Sequence, residues 1–456
     1  MAISPIPRSV RSALSDPHWL AAMCAEYDAL VANRTWTLVP RPPGANIITG
    51  KWVFQHKLLQ DGSLDRYKAR WVVRGFAQRA GVDFSETFSP VVKPATIRVV
   101  LQLAASRHWP VHQLDINNAF LDSHRQERVL CQQPAGFVDP TPPDDVCLLS
   151  RSLYGLKQAP PPSPTRRYLR FIELIMSPCF SLYVDDIVIT DSRADLLRDI
   201  IGRLGQYALD LLDRAGMTDC KPPATPVEAK PKLSANAGQP ATDVALYRSI
   251  VGALQYLTLT RPDIQFAVQQ VCLHMHSPRD VHWSLVKLIL WYIRGTLTFV
   301  LPLRASASTE LFAYTDADWV GCPDIRRSTS GYCVFFGDSL ISWSSKRQST
   351  VSRSSDEAEY RVVANVVAET CWLRPLLCEL RVTIPKATAV FCDNVLATYL
   401  AANPVQHKRT KHIELDVHFV REKVQLGQLR VLHVPTTQQF ADIMNVTYLY
   451  YYSCNL

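Results

Sequence analysis

Apolar and polar positions repeat with two different periods along this chain, and the changes of period mark its parts. In WLAAMCAEYDAL, Leu20, Met23, Tyr27 and Leu30 recur at helical spacing behind a leader containing Pro and Ser, which predicts an N-terminal helix. From Ile47 to Phe76 the apolar runs KWVFQHKLL and RWVVRGF flank Asp61-Gly62, the dipeptide that most often turns a β-hairpin. Basic residues decorate this ribbon. PATIRVVLQLAASRHW then reads as helix and leads into VHQLDINNAF, and a second hairpin, CFSLYVDDIVITD, lies downstream. Between them APPPSP cannot be helix interior and predicts an extended linker.

Leu-rich helical spacing from Tyr247 to Gly295 predicts a connecting helical segment. From Leu311 to about Asn445 strands and helices alternate. LFAYTDADW comes first, then GYCVFFGDSLISWSS with its turn at Gly337-Asp338, helical SSDEAEYRVVANVVAETCWL, and the strands ATAVFCDN and LRVLHVP. Three strands, then helix, strand, helix and strand predict an α/β domain with a mixed sheet.

At 456 residues the chain has room for roughly three domains of ~150 residues. An apolar fraction of 47% with 20% charged residues excludes the disordered class. The formal charge of +8 mildly favours a polyanionic partner. The twelve cysteines include no C-x-x-C pair and no N-terminal run reads as a signal peptide, so reduced thiols in a cytoplasmic or nuclear, non-secreted protein are expected. LVKLILWYIRGTLTFVLPL is broken by Lys287 and Arg294, which argues against a membrane span.

Two groups of carboxylates carry candidate chemistry. YVDD, from Tyr183 to Asp186, puts adjacent carboxylates at a hairpin tip, where alone they read as solvated turn formers. Asp115, however, ends another apolar strand, and a polymerase needs carboxylates from separate strands around two Mg²⁺ ions ~4 Å apart. In the C-terminal part Asp316 follows LFAYT and Asp393 follows ATAVFC, both expected at strand ends. Glu359 shares the helical stripe of Val362, Val363, Val366 and Val367, an expensive place for a carboxylate without a cation. Asp356 and Glu357 fall in the first turn after Ser354 and Ser355, where capping and the helix dipole account for them.

RYKARWVVRGFAQ, FSPVVKPATIR, QLDINNAFL, LYGLKQAP and YVDD occur in the order seen in reverse transcriptases of copia-type LTR retrotransposons, which the chain resembles from about Pro17 to Asp442. The resemblance implies α+β and α/β parts: reverse transcriptase fingers and palm with an incomplete thumb, a helical connection, and a ribonuclease H-like mixed-sheet domain. The expected divisions are 1–34 for the leader and N-terminal helix, 35–215 for the internally deleted fingers and palm, 216–304 for the connection, 305–445 for the ribonuclease H-like domain and 446–456 for an aberrant tail. It implies Asp115 and Asp185 as principal metal ligands with Asp186 beside them. Phe120 would lie under the sugar of the incoming nucleotide, Lys68 and Arg70 would meet its phosphates, and Tyr154 and Gly155 would border the template-nucleotide pair. Solvated cations, a core aromatic and a tight turn are the plainer readings of the ribbon, Phe120 and Gly155.

YTDADWVG, STSGYCVFFG, SWSSKRQSTVSRSSDEAEY, CDN, RTKHIELDVHFVRE and HVPTTQQFADI resemble the ribonuclease H domain attached to these enzymes. That resemblance implies Asp316, Glu359, Asp393 and Asp442 as ligands of two Mg²⁺ (or Mn²⁺) ions, two per active site, cutting RNA in an RNA/DNA hybrid. His433 reads as core or edge packing, with product release as the other reading, and Lys408, Arg409, Lys411 and His412 as phosphate contacts or solvated charge. The implied partners are an RNA template, an RNA/DNA hybrid and deoxynucleotide triphosphates, with no membrane.

Three places depart from the family pattern. APPPSPTRR stands where a helix is expected after LYGLKQAP, the primer-gripping stretch after YVDDIVIT is missing, and NVTYLYYYSCNL replaces the continuation after ADIM. The chain therefore reads as a piece of a decayed polyprotein: an RNA-directed DNA polymerase with a ribonuclease H domain whose polymerase is impaired. The other reading is a catalytically inactive nucleic-acid-binding retroelement relic.

Overall fold

The computed structural model describes residues 3–58, 63–79, 81, 83, 93–109, 112–115, 128–141, 143–157, 180–183, 186–189, 205–217, 221–227, 234–403 and 411–445. The chain forms two compact units, residues 1–92 with 113–189, and residues 93–112 with 190–456.

In the first unit the helix Pro17–Ala32 begins at Asp16, whose carboxylate accepts the N–H groups of His18 and Trp19 at 2.9 and 3.2 Å. Trp19, Met23 and Leu30 are its buried face. Short strands β1 (Trp36–Val39), β2 (Ile47–Ile48), β6 (Leu130–Cys131) and β7 (Val146–Leu149) make a sheet of order β1-β7-β6-β2. The expected basic ribbon is the antiparallel pair β3 (Gly50–Leu58) and β4 (Leu64–Val73), and its Asp61-Gly62 turn lies outside the described residues. Period-2 alternation sorts β4: Ala69, Trp71 and Val73 are buried, while Arg66, Lys68 and Arg70 occupy the other face. Strands β5 (His112–Asp115), β8 (Phe180–Tyr183) and β9 (Asp186–Ile189) form a third sheet of order β5-β9-β8.

The second unit holds the predicted helical segment as three helices, Val244–Leu257, Gln265–Cys272 and Asp280–Gly295, around Ile250, Leu254, Val271 and Leu290. Beyond it β10 (Leu311–Asp318), β11 (Thr329–Phe336), β12 (Ser339–Arg347), β13 (Thr388–Cys392) and β14 (Leu429–His433) build the mixed sheet, ordered β12-β11-β10-β13-β14. The first three strands pair antiparallel; β10 with β13 and β13 with β14 pair parallel. The helix Ser355–Glu379 lays Val362, Val363, Val366 and Val367 against this sheet. Two helices, Val395–Ala402 and Glu414–Gln425, lie between β13 and β14 where the sequence pattern predicts one.

Two segments are placed differently from the sequence expectation. Residues 205–215, expected within the fingers and palm, belong to the second unit and pack with the helical segment through Leu211 and Leu212. The helix Pro94–Ser106, expected within the fingers and palm, belongs to the second unit, and its Ala95, Val99 and Leu103 share a core cluster with the mixed sheet. Polar contacts hold it there. The Arg98 guanidinium lies 3.6 Å from the Trp343 ring centroid and donates to the Ile341 carbonyl at 2.9 Å, and Gln102 accepts from Ser339 Oγ at 2.5 Å. Among the described residues no helix is long and apolar enough to cross a membrane.

Candidate nucleic-acid and metal sites

The C-terminal carboxylates are delivered by separate elements of one sheet. Asp316 lies inside β10, opposite Gly331 of β11, and not at a strand end, because β10 keeps pairing as far as Asp318 with Thr329. Glu359 follows from the N-cap at Ser354, which accepts the Glu357 N–H at 3.2 Å and sets the phase of the helix. That phase turns Glu359 inward with the four valines, and the carboxylate is only 7% exposed. Its Oε1 accepts the Ala317 N–H at 3.0 Å.

Asp393 directly follows β13 and accepts the Thr436 hydroxyl at 3.1 Å. Its neighbour Asn394 caps the next helix by accepting the Ala397 N–H at 2.9 Å and donates to Asp356 at 2.9 Å. Asp442 lies in the short turn Phe440–Met444, which Gln439 anchors by donating to the Thr315 carbonyl of β10 at 2.9 Å. Ligand atoms of Glu359, Cys392 and Asp393 lie within 4.8 Å of one another.

Three of these carboxyls are raised. Burial pushes Glu359 up to about 10, and the charges of Asp316, Asp393 and Asp442 add to the effect. Asp442 is pushed up to about 7 by burial, then by Asp316 and Asp393. Asp316 rises to about 6 through burial; a hydrogen bond from Asn445 opposes that and the charge of Asp393 reinforces it. None of the ion pairs among the described residues involves any of the four. Several hard oxygen donors gathered without a cation suit a small divalent ion.

Gln439 and Asn445, two supports of this cluster, carry no reading in the sequence. Neither belongs to a periodic segment, so only the tertiary contact reveals it. His433, at the end of the edge strand β14, is exposed, as is His412; Lys408 and Arg409 lie outside the described residues.

In the first unit the β5-β9-β8 order sets the strand that ends at Asp115 beside the strand that begins at Asp186, and Tyr183 pairs with Asp186 across the hairpin. Asp185 and Phe120 lie outside the described residues. Lys68 and Arg70 face the same side of β4 as Arg66, and Arg66 is directly opposite Lys57. Burial lowers the affinity of Lys68 for its proton, and the like charges of Arg70, Lys57 and Arg66 lower it further against an opposing pull from Glu26. Like charges paired across a ribbon are unfavourable without a counter-anion.

The Arg70 guanidinium sits 4.6 Å from the ring centroid of Tyr154. The Tyr154-Gly155 turn docks on β4: Val73 N–H donates to the Tyr154 carbonyl at 2.8 Å and Gly75 N–H to the Gly155 carbonyl at 3.1 Å. Gly155 has φ +91°, and a Cβ there would lie 2.1 Å from the Val73 carbonyl oxygen, so only glycine fits. The turn at Gly155 is thus a tight one, and it sets Tyr154 beside Arg70.

Residues 33–166 match the family profile described as reverse transcriptase (RNA-dependent DNA polymerase). The chain is 44% identical over 493 aligned positions to the retrovirus-related Pol polyprotein from transposon RE2 of Arabidopsis thaliana, covering 97% of this chain and 34% of that protein. It is 36% identical over 503 positions to the Pol polyprotein from transposon TNT 1-94 of Nicotiana tabacum, covering 96% of this chain and 37% of that one. A solved foamy viral protease-reverse transcriptase in complex with RNA/DNA hybrid is similar at 10% identity with a TM-score of 0.48, over 91% of this chain and 54% of that one. The chain thus spans about a third of the length of the curated relatives it matches. The RE2 alignment is longer than the 456-residue chain, so that relative carries positions with no counterpart here. By these relationships, the chain belongs to the copia-type retrotransposon Pol family and comprises its reverse transcriptase and ribonuclease H-like regions.

Proposed function

We propose that the chain performs two-metal phosphoryl transfer on nucleic acid, cutting the RNA strand of an RNA/DNA hybrid at Asp316, Glu359, Asp393 and Asp442. The observation that carries this reading is convergence: ligand atoms of Glu359 and Asp393 lie within 4.8 Å of one another, Glu359 accepts the N–H of Ala317 beside Asp316, and the turn bearing Asp442 is anchored on the Thr315 carbonyl next to Asp316. Mg²⁺ or Mn²⁺, two ions per site, suits this all-oxygen carboxylate set. When bound, such ions activate water and stabilise the leaving oxygen. The chain's own part is positioning: Ala317 N–H orients Glu359, Thr436 orients Asp393, and Gln439 seats the turn that carries Asp442.

For the first unit we propose descent from an RNA-directed DNA polymerase using an RNA template and deoxynucleotide triphosphates. Asp115, Asp185 and Asp186 would hold its two ions, Lys68 and Arg70 would meet the triphosphate, Phe120 would lie under the sugar, and Tyr154 and Gly155 would border the template-nucleotide pair. The adjacency of β5 and β9 and the cationic face of β4 support this assignment. We propose that synthesis is impaired, since positioning supplies most of phosphoryl-transfer catalysis and no primer-gripping stretch reads after YVDDIVIT in the sequence. The alternative, a catalytically inactive nucleic-acid-binding relic, draws on the same lesions. A cytoplasmic or nuclear, non-secreted setting is part of the same proposal.

Paired assays on the purified full chain separate these readings. Hybrid cleavage without primer extension is the expected result. Binding of hybrid with neither activity would favour the relic, and robust extension that disappears in Asp186→Asn would show that the polymerase is intact.

A further inference from the structure

Asn445 is 1% exposed and directly follows the turn that carries Asp442. Its Nδ2 donates to both the backbone carbonyl and the carboxylate of Asp316, the latter at 3.1 Å. The space for this side chain comes from Gly331, the cross-strand partner of Asp316: a Cβ on Gly331 would lie 2.6 Å from three atoms of the Asn445 amide. The opposite amide oxygen, Oδ1, is buried without a hydrogen-bond partner. Flipping the amide would aim that oxygen at two acceptors of Asp316, so the donor-inward orientation is the favourable one even at the expense of an unsatisfied Oδ1.

From this geometry we propose that Asn445 is the positioning residue for Asp316. Its amide fixes the direction of the carboxylate and ties the segment bearing Asp442 to the strand bearing Asp316, so that two carboxylates distant in sequence keep one geometry. The proposal rests on the ribonuclease H reading for its purpose, but the contact itself can be tested without metal or substrate.

The test is a double-mutant cycle on the full chain in EDTA, with Tm as readout, joined by Mn²⁺ titration followed by electron paramagnetic resonance. Asn445→Leu keeps the volume and removes the donor, and Asp316→Ala removes the acceptor carboxylate. Asn445→Leu is expected to lower Tm, to lose more than half of that effect in the Asp316→Ala background, and to weaken Mn²⁺ binding several-fold. Should Asn445→Leu prove too unstable, Gly331→Ala, which displaces the Asn445 side chain, is expected to reproduce the Mn²⁺ defect. The proposal is overturned if Asn445→Leu lowers Tm equally in both backgrounds, or if Asn445→Leu and Gly331→Ala both bind Mn²⁺ like the wild type. Absence of Mn²⁺ uptake by the wild type would instead overturn the ribonuclease H reading, and the Tm cycle would still decide the contact.

Discussion

Glu359 accepts the Ala317 N–H at 3.0 Å, which ties the long helix to the strand one residue beyond Asp316. The bond orients a carboxylate that burial and three neighbouring carboxylates push up to about 10. Glu359→Gln keeps the acceptor and removes the ionisable group, so it should raise the Tm of the metal-free chain, by about 1–2 kcal/mol of stability. Mg²⁺ should raise the wild-type Tm by linkage and that of the variant far less. Equal Mg²⁺ shifts in the two proteins would contradict this account, and differential scanning calorimetry with EDTA and with Mg²⁺ measures both.

Arg98 tests the unexpected place of the Pro94–Ser106 helix. Its guanidinium covers Trp343 and satisfies the Ile341 and Leu259 carbonyls, so Arg98→Met should leave two acceptors unpaired and cost about 2–4 kcal/mol. A polypeptide of residues 305–445 alone should melt below the same unit in the full chain, and a synthetic 93–112 peptide should raise its Tm. No response to the peptide would show that the helix is not part of that core.

Much of this arrangement is legible in the sequence. The valine stripe beside Glu359 announces both the helix and its buried face, and the strand patterns give the mixed sheet. What periodicity cannot convey is which core an amphipathic helix covers: Ala95, Val99 and Leu103 mark an apolar face without naming its partner. Asp316 is read as lying past a strand because Asp-Ala-Asp breaks the apolar run, whereas pairing with β11 carries the strand on to Asp318. Asn445 and Gln439 belong to no repeat, and their roles are set wholly by contacts to β10.

A stacked pair of histidines gives the second unit a pH dependence. The His274 and His282 rings lie 3.7 Å apart, centroid to centroid. Burial, then His282 and Arg347, holds His274 down to about 4 against an opposing pull from Asp324. A histidine whose folded value lies below its unfolded one contributes stability above about 6.5 and loses it as pH falls toward 4. Because the raised carboxyls of Glu359, Asp442 and Asp316 gain stability over the same range, the readout is a difference: the Tm of His274→Phe, which keeps a ring in the stack, should rise by several degrees relative to wild type between pH 7 and pH 5. Parallel pH profiles for the two proteins would rule out this source.

Gly155 offers a test of the first unit. With φ +91° and the Val73 carbonyl in the way of any Cβ, Gly155→Ala should break the docking of the Tyr154 turn and cost about 2–4 kcal/mol. Hydrogen exchange at the Val73 and Gly75 amides should accelerate together. Unchanged protection would mean that the turn tolerates the methyl group.

The most direct test of the whole account is single-turnover cleavage of an RNA/DNA hybrid by the full chain with Mg²⁺, compared with Asp316→Asn. The account predicts that the RNA strand is cut, that single-stranded RNA is spared, and that Asp316→Asn, still folded, loses at least about 100-fold in rate. A folded wild-type chain that leaves the hybrid intact in both Mg²⁺ and Mn²⁺, or an Asp316→Asn variant that cuts as fast as the wild type, would contradict it.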